Sequence, residues 1–136
     1  MTTRTGLIIV SHSKRLALGV VELVRALAGD ELAIVAIGGE ETSGGGGLGV
    51  NAAMVLEGLA QLDGYDAIGM IGDVGSSFLA TSAAIELEGL EERVRIIDCP
   101  MVEGAIACAM TLSMDGSLDE AIAAAEHAWE VRKVGT

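Results

Sequence analysis

The chain has 136 residues, a formal net charge of −12 at pH 7, and a hydrophobic content of 51%. This length predicts one domain, residues 1–136, with a sizeable core, and a single Phe, Tyr and Trp make that core aliphatic. The acidic charge argues against a nucleic-acid partner, because phosphate backbones need a cationic surface. No apolar run reaches the roughly 18 residues of a membrane span. The N-terminus has no cleavable signal pattern either, so we expect a cytoplasmic protein that does not bind membranes.

Strand and helix patterns alternate along the chain. Apolar runs typical of strands buried on both faces occupy residues 6–10, 31–38, 65–72 and 93–100. Helical spacing of apolar residues is found at residues 16–29, 50–62, within 73–90 after a turn, 102–114 and 117–133. The last helix starts with a capping-box pattern, Ser117 and Glu120, and residues 39–49 are predicted to form a Gly-rich loop. This order predicts an α/β fold with an open, mostly parallel, doubly wound sheet of about four strands and helices on both faces.

Polar residues follow the predicted strands at their carboxyl ends, where open α/β sheets bind ligands. Ser11, His12 and Ser13 follow the first strand, residues 73–77 follow the third, and residues 100–104 follow the fourth. Carboxyl ends of parallel strands share one edge of the sheet. The sequence therefore predicts a small polar site at this edge, with one histidine, one aspartate and several hydroxyl groups.

The role of His12 has four alternatives. It could be a structural histidine held by its neighbours, the usual role of a lone histidine. It could be a general base, although no Ser or Cys nucleophile lies in a motif of its own, or a metal ligand, although the other histidine, His127, lies far along the last helix. It could also be a nucleophile that carries a group covalently. That role needs one bare ring nitrogen and one held as N–H by an acceptor, for which Asp73 is the predicted residue.

The two cysteines, Cys99 and Cys108, have no His or Cys partner at metal-ligand spacing. In a chain predicted to be cytoplasmic, they are expected to be reduced thiols of the core. A disulfide or a zinc site is the less favoured alternative.

Four segments together resemble one family: "IIVSHSKRLALGVVEL", "GLGVNAAMVLEGL", "GDVGSSFLATSAAIEL" and "CPMVEGAIACA". In order and spacing they are similar to the phosphotransferase subunit of the phosphotransferase-system-dependent dihydroxyacetone kinase, the DhaM family. That family is related to the mannose-class enzyme IIA domains of sugar transport. The resemblance implies a phosphotransferase in which His12 accepts a phosphoryl group. Asp73 is then the acidic residue of the motif that continues with Gly75 and Ser76.

The same resemblance implies the partners. The donor would be the histidine phosphocarrier protein, and the acceptor would be ADP held on the ADP-binding subunit of dihydroxyacetone kinase. No metal and no tightly bound cofactor is implied, only a transient phosphoryl group on His12. A homodimer is implied as well, and aliphatic residues such as 105–112 could supply its interface.

The residues predicted to contact the phosphoryl group or to support the residues that do are Ser11, Ser13, Lys14, Arg15, Asn51, Gly75, Ser76 and Glu103. Lys14 and Arg15 would be its counterions, at the N-terminus of a helix where backbone N–H groups also favour an anion. Alternatively, the two cations are ordinary solvated residues of a first helical turn. The sequence departs from the family pattern at Val50, where a Thr is usual, and in its Gly44–Gly47 run.

Three other functions stay open. The first is a mannose-class enzyme IIA domain that serves a sugar transport system, although the absence of proline from "DVGSSFLATSAAIEL" favours the kinase subunit. The second is a non-catalytic module that holds a small anion at the same edge of the sheet. The third is a partner-binding regulator that has lost transfer activity.

Overall fold

The computed structural model describes residues 3–39 and 49–135. The predicted loop with the Gly44–Gly47 run falls almost entirely outside these residues. The described elements, in chain order, are β1 (Thr5–Ser11), α1 (Lys14–Ala28), β2 (Ala33–Gly38), α2 (Ala52–Gln61), β3 (Ala67–Gly72), α3 (Ser77–Leu87), β4 (Val94–Ile96), α4 (Met101–Ser113) and α5 (Leu118–His127), followed by a 3-10 turn (Ala128–Glu130).

The four strands form one sheet in the order β2-β1-β3-β4, and each neighbouring pair is parallel. From β1 the chain moves to β2 at one edge and then crosses back to β3 on the other side of β1. Because crossovers between parallel strands are right-handed, this reversal places α1 on one face of the sheet and α2 on the other. Helices α1, α4 and α5 cover one face, and α2 and α3 cover the other. The predicted α/β fold, a doubly wound parallel sheet of four strands, is confirmed.

Strand β1 lies in the middle of the sheet and contributes to both cores. Leu7, Ile8, Ile9 and Val10 have no exposed surface. Leu7 and Ile9 pack into the core under α1, α4 and α5, while Ile8 and Val10 pack into the core under α2 and α3. Successive side chains of a strand point to opposite faces, so a strand covered on both faces needs an unbroken apolar run. The polar residues can begin only where β1 leaves the sheet.

The end of β1 is fixed by a close approach of β2. Gly38 pairs with Ser11 at the last position of the ladder and has a φ of 129°. A Cβ atom at Gly38 would overlap the carbonyl oxygen of Ser11. Only glycine tolerates both this φ and this contact. The backbone of Ser11 is therefore held in place on the β2 side, directly before His12.

Helix α5 begins as predicted and ends earlier than predicted. Its capping box is present: the Ser117 hydroxyl accepts from the Glu120 N–H at 3.1 Å, and the Glu120 carboxylate accepts from the Ser117 N–H at 3.0 Å. The expectation of a helix to residue 133 is wrong, because α5 ends at His127. The indole N–H of Trp129 donates to the carbonyl of Asp98 at 3.1 Å, and the 3-10 turn that carries Trp129 makes this contact.

Cys99 and Cys108 are buried free thiols, as predicted. The pKa of each thiol is raised to about 12, mainly by burial, and at Cys99 the negative charges of Asp98 and Glu126 contribute to this rise. Both are therefore unreactive core residues at neutral pH. Within residues 3–39 and 49–135, no group of His, Cys, Asp and Glu side chains is arranged to hold a metal ion. The helices of these same segments are too short or too polar to cross a membrane.

Candidate functional site

His12 and Asp73 meet where the order of the strands reverses. His12 follows β1, Asp73 follows β3, and the last ladder pair of these two strands is Val10 with Gly72. The side chain of His12 is 36% exposed and that of Asp73 is 12% exposed. The prediction that the carboxyl ends of the first and third strands bring these residues together is confirmed by this geometry.

The carboxylate of Asp73 accepts four hydrogen bonds. Oδ2 accepts from the backbone N–H of His12 and from the hydroxyl of Ser11, both at 3.0 Å. Oδ1 accepts from the backbone N–H of Val74 at 2.8 Å and from the hydroxyl of Ser77. Burial alone would raise the pKa of Asp73, but the hydrogen bonds from Ser77, His12, Val74 and Ser11 outweigh it and lower the pKa to about 2. Asp73 is therefore a carboxylate throughout the physiological pH range.

The two ring nitrogens of His12 have different partners. Nδ1 lies 3.3 Å from Oδ1 and 3.4 Å from Oδ2 of Asp73, and 3.2 Å from Oγ of Ser77. Nε2 lies 3.2 Å from Oγ of Ser76. A carboxylate accepts hydrogen bonds and cannot donate them, so these partners assign the proton to Nδ1. Nε2 is left with its lone pair.

Ser76 contacts His12 instead of capping its own helix. It occupies the N-cap position of α3, yet its side chain makes no capping hydrogen bond. A serine cap contributes about 1 kcal/mol to helix stability. With Nε2 bare, the Ser76 hydroxyl is free to donate to it. This arrangement favours contact with the imidazole over stability of α3, which is typical of a functional position.

The N-terminus of α1 follows His12 directly. The hydroxyl of Ser13 caps this helix by accepting from the N–H of Leu16 at 3.2 Å, and the N–H of Ser13 donates to the hydroxyl of Ser11 at 3.0 Å. The side chains of Lys14 and Arg15 are exposed and form no hydrogen bond or ion pair with another residue of the described segments. The first turn of α1 contains no acidic residue. Helix dipole and cations together make this an electropositive region on an acidic protein.

The segment before α2 also borders His12. The N–H of Gly49 donates to the carbonyl of His12 at 2.7 Å. Val50, which stands where the family pattern has Thr, packs against the core under α2 and α3. The side-chain oxygen of Asn51 accepts from the N–H of Met54 at 2.9 Å and caps α2. A phosphate-binding role for Asn51 stays a prediction beside this structural one.

Glu103 and Gly75 are the predicted residues with the weakest connection to this network. Glu103 lies in the first turn of α4, and its carboxylate forms an ion pair with Lys133 at 3.2 Å. Among the described residues it has no hydrogen bond or ion pair to His12 or Asp73. Gly75 lies in the turn before α3, with open space where a side chain would be.

Ser77 contacts both His12 and Asp73, although the sequence motif points to Gly75 and Ser76 and includes Ser77 only within the polar segment 73–77. The spacing of four residues between Asp73 and Ser77 was the available signal, because this spacing places two side chains on one side of a helical turn.

The comparisons with known proteins agree on one family. Residues 6–122 match the EIIA-man family, described as the PTS system fructose IIA component. The phosphoryl donor subunit DhaM of PEP-dependent dihydroxyacetone kinase 2 from Listeria innocua is 36% identical over 107 residues, which cover 77% of this chain and 83% of that protein. The corresponding DhaM subunit of Escherichia coli is 32% identical over 130 residues. These cover 94% of this chain but only 28% of the longer E. coli protein.

Solved structures agree on the fold. A crystal structure described as the unknown-function protein EF1359 superposes with a TM-score of 0.79 at 26% identity, over 93% of this chain and 95% of that one. The phosphotransferase system component EIIA of Streptococcus agalactiae has a TM-score of 0.66 at 17% identity, over 94% and 96% of the two chains, and shows the fold alone. The chain therefore belongs to the EIIA-man family, as the resemblance of its sequence motifs to that family's dihydroxyacetone kinase subunits predicted.

Proposed function

We propose that this protein is a phosphohistidine carrier that accepts and passes on a phosphoryl group at Nε2 of His12. The observation that supports the proposal most directly is the difference between the two ring nitrogens. Nδ1 faces the Asp73 carboxylate, while the hydroxyl of the exposed Ser76 is the one partner of Nε2 among the residues that the structure describes. A nucleophilic imidazole needs this asymmetry, because only an unprotonated nitrogen can attack phosphorus.

The transfer is a direct displacement at phosphorus. The lone pair of Nε2 attacks the phosphoryl group of a phosphorylated donor, the N–P bond of the donor breaks, and its electron pair stays with the donor imidazole. The proton of His12 remains on Nδ1, where Asp73 stabilises the positive charge that the ring gains. When the group is passed on, a nucleophilic atom of the acceptor forms the new bond to phosphorus, the N–P bond breaks, and its electron pair returns to Nε2. Catalysis of such a step depends mainly on positioning and on charge stabilisation.

The donor is proposed to be the histidine phosphocarrier protein, and the acceptor to be ADP on the ADP-binding subunit of dihydroxyacetone kinase. The names of the relatives support this, because they are phosphoryl donor subunits of PEP-dependent dihydroxyacetone kinases. Both encounters would take place in the cytoplasm. The alternative acceptor is a protein of a sugar transport system, since the matched family is described as an IIA component of the phosphotransferase system.

Intact-mass spectrometry tests the proposal in two steps. The protein is first incubated with enzyme I, the histidine phosphocarrier protein and phosphoenolpyruvate, and it should gain one phosphoryl group that acid removes. The phosphorylated protein is then mixed either with the ADP-loaded kinase subunit or with a mannose-class IIB domain, and the kinase subunit should be the one that discharges it. No mass gain would refute the carrier function and favour an anion-binding module or an inactive regulator.

Lys14 and Arg15 are proposed to neutralise the phosphoryl group during transfer. Replacing both with Ala should slow phosphorylation about 10-fold, because charge complementarity speeds association and stabilises phosphate charge. Circular dichroism should show an unchanged fold, since neither side chain is buried. The matched control is the double variant Arg132→Ala/Lys133→Ala, which removes the same charge from the C-terminal segment. Equal rates for the two double variants would show that the cations at α1 have no specific role.

A homodimer is also proposed. In the predicted interface segment 105–112, the side chains of Ala105, Cys108 and Ala109 are buried in the core of the chain itself. The opposite side of α4 offers Met110, which is 45% exposed, and Met114, directly after the helix, is 80% exposed. Sedimentation equilibrium at micromolar concentration should give about twice the monomer mass of 13.8 kDa. A single species at the monomer mass would contradict the proposal.

A further inference from the structure

Ser77 is one of three polar residues of the described segments whose side chains are completely buried, together with Ser11 and Thr81. Ser11 and Ser77 each donate to the Asp73 carboxylate, one to each oxygen. Thr81 donates to the carbonyl of Ser77 at 3.1 Å. A buried hydroxyl costs stability unless its hydrogen-bonding capacity is used. Here the hydroxyls of Ser11 and Ser77 both bind one carboxylate, and that of Thr81 binds the backbone of Ser77.

The hydroxyl of Ser77 lies between the imidazole and the carboxylate. Its Oγ is 3.2 Å from Nδ1 of His12, compared with 3.3 and 3.4 Å for the direct distances from Nδ1 to the two oxygens of Asp73. The same hydroxyl donates its proton to Oδ1. Nδ1–H, Ser77 O–H and Asp73 thus form a short chain of hydrogen bonds. In such a chain each bond polarises the next.

The direction of this chain distinguishes the two neutral forms of His12. Asp73 accepts the Ser77 proton, so the lone pairs of Oγ are what Ser77 presents to Nδ1. A proton on Nδ1 is then well accommodated. A bare Nδ1 would instead face the lone pairs of both Ser77 and Asp73. Ser77 could relieve this repulsion only by turning its proton toward Nδ1, and its hydrogen bond to the carboxylate would then be lost. The site therefore penalises the form of the ring that carries its proton on Nε2.

We propose that Ser77 is a positioning residue that holds the proton of His12 on Nδ1 and thereby directs the phosphoryl group to Nε2. The consequence for transfer rests on the proposed carrier function. The position of the proton does not, because it is a property of the unphosphorylated protein. The two can therefore be tested separately.

Nitrogen-15 NMR of the histidine rings measures the position of the proton directly. Spectra are recorded at about pH 8, where an ordinary histidine is neutral. The wild type should show His12 mainly with its proton on Nδ1. In Ser77→Ala we expect the ratio of the two forms to shift about fivefold toward the Nε2–H form, the effect of losing one hydrogen bond. The rate of phosphorylation should fall only in proportion to the fraction of His12 that carries its proton on Nδ1, which changes less than the ratio does, and the KM for the donor protein should be unchanged.

The matched control is Ser82→Ala, the same substitution at an exposed position of α3 with no hydrogen bond to the site. His127 provides an internal reference, because its ring signals should be identical in all variants. A ratio in Ser77→Ala within twofold of the wild type would overturn the inference and leave Ser77 as a packing residue.

Ser77→Cys covers the case in which the alanine variant does not fold. It keeps the volume of the side chain with a weaker donor and acceptor, so the shift should lie between those of serine and alanine. If Ser77→Cys matches the wild type, the inference is wrong. If the wild type is never phosphorylated, the carrier function fails, while the NMR comparison still decides the role of Ser77.

Discussion

His12→Ala is expected to abolish phosphorylation completely, whereas His127→Ala should be phosphorylated at the wild-type rate. These are the two histidines of the sequence, and the structure gives them opposite surroundings. His12 is held by a largely buried carboxylate at the end of a central strand. His127 lies at the end of α5, with its side chain 66% exposed and an ion pair to Glu130 at 3.1 Å. Nδ1 of His127 therefore also has a carboxylate partner, but the Glu130 side chain is 76% exposed, whereas the Asp73 side chain beside Nδ1 of His12 is 12% exposed. The buried partner fixes the orientation of the His12 ring, while Nε2 stays accessible.

The measurement is intact mass after incubation with enzyme I, the histidine phosphocarrier protein and phosphoenolpyruvate. A phosphoramidate is labile in acid, so the added mass on the wild type and on His127→Ala should disappear after acid treatment. An acid-stable modification would indicate a serine or threonine ester. If His12→Ala gains a phosphoryl group, or if His127→Ala does not, the assignment of His12 is wrong.

The fold could be predicted because the sequence of β1 has few alternatives. Leu7 to Val10 are four consecutive apolar residues, and only a strand covered on both faces buries all of them. Once the strands are parallel, the residue after β1 and the residue after β3 must lie at the same edge of the sheet. The pairing of His12 with Asp73 follows from this topology, without knowledge of any side-chain conformation.

The features that the sequence did not reveal depend on contacts between distant segments. The Ala-rich pattern of α5 continues past His127, but the hydrogen bond from Trp129 to Asp98 accompanies a 3-10 turn there. Glu103 pairs with Lys133 because residues 131–135 are not helical. The contact of Ser77 with the site depends on the turn before α3, which brings its hydroxyl within hydrogen-bonding distance of Oδ1 of Asp73. Neither spacing nor composition determines the direction of one hydroxyl group.

Asp73→Asn is expected to slow phosphorylation of His12 by about 100-fold or more. An amide has one oxygen and one NH2 group, so half of the side chain donates hydrogen bonds where the carboxylate accepted them. An NH2 group directed at Nδ1 favours a bare Nδ1 and a proton on Nε2, which removes the nucleophilic lone pair. In serine proteases, the same replacement beside a catalytic histidine lowers kcat by about 10⁴ through the wrong ring form.

The same variant should also be less stable than the wild type. Both oxygens of Asp73 accept from backbone N–H groups, one from His12 and one from Val74. Whichever way the amide is oriented, its NH2 group faces a backbone donor that cannot rotate away. A buried donor without an acceptor costs about 1–3 kcal/mol. Rates must therefore be compared at a temperature where circular dichroism shows both proteins fully folded.

The difference in stability should depend on pH. The pKa of Asp73 is about 2 in the folded protein, below its ordinary value of 3.8, so the charged form stabilises the fold. That contribution, about 2 kcal/mol, is complete above the ordinary pKa and is lost as the pH falls from about 4 to about 2. Asn does not titrate. The gap in unfolding free energy between wild type and Asp73→Asn, measured by urea denaturation, should therefore narrow by about 1 kcal/mol between pH 7 and pH 3.

Activity and stability together decide what Asp73 does. If the difference in unfolding free energy between wild type and Asp73→Asn becomes smaller in acid but both proteins are phosphorylated at the same rate, Asp73 is a structural hydrogen-bond acceptor with no role in transfer. If phosphorylation of Asp73→Asn is slow but the difference in unfolding free energy from the wild type does not change with pH, then Asp73 is not the charged carboxylate that the structure indicates. Ser11→Ala serves as the matched control, because it removes one donor from Oδ2 and leaves the carboxylate and its contact with Nδ1 in place. Its rate should stay within a fewfold of the wild type, since the ring proton keeps both of its acceptors.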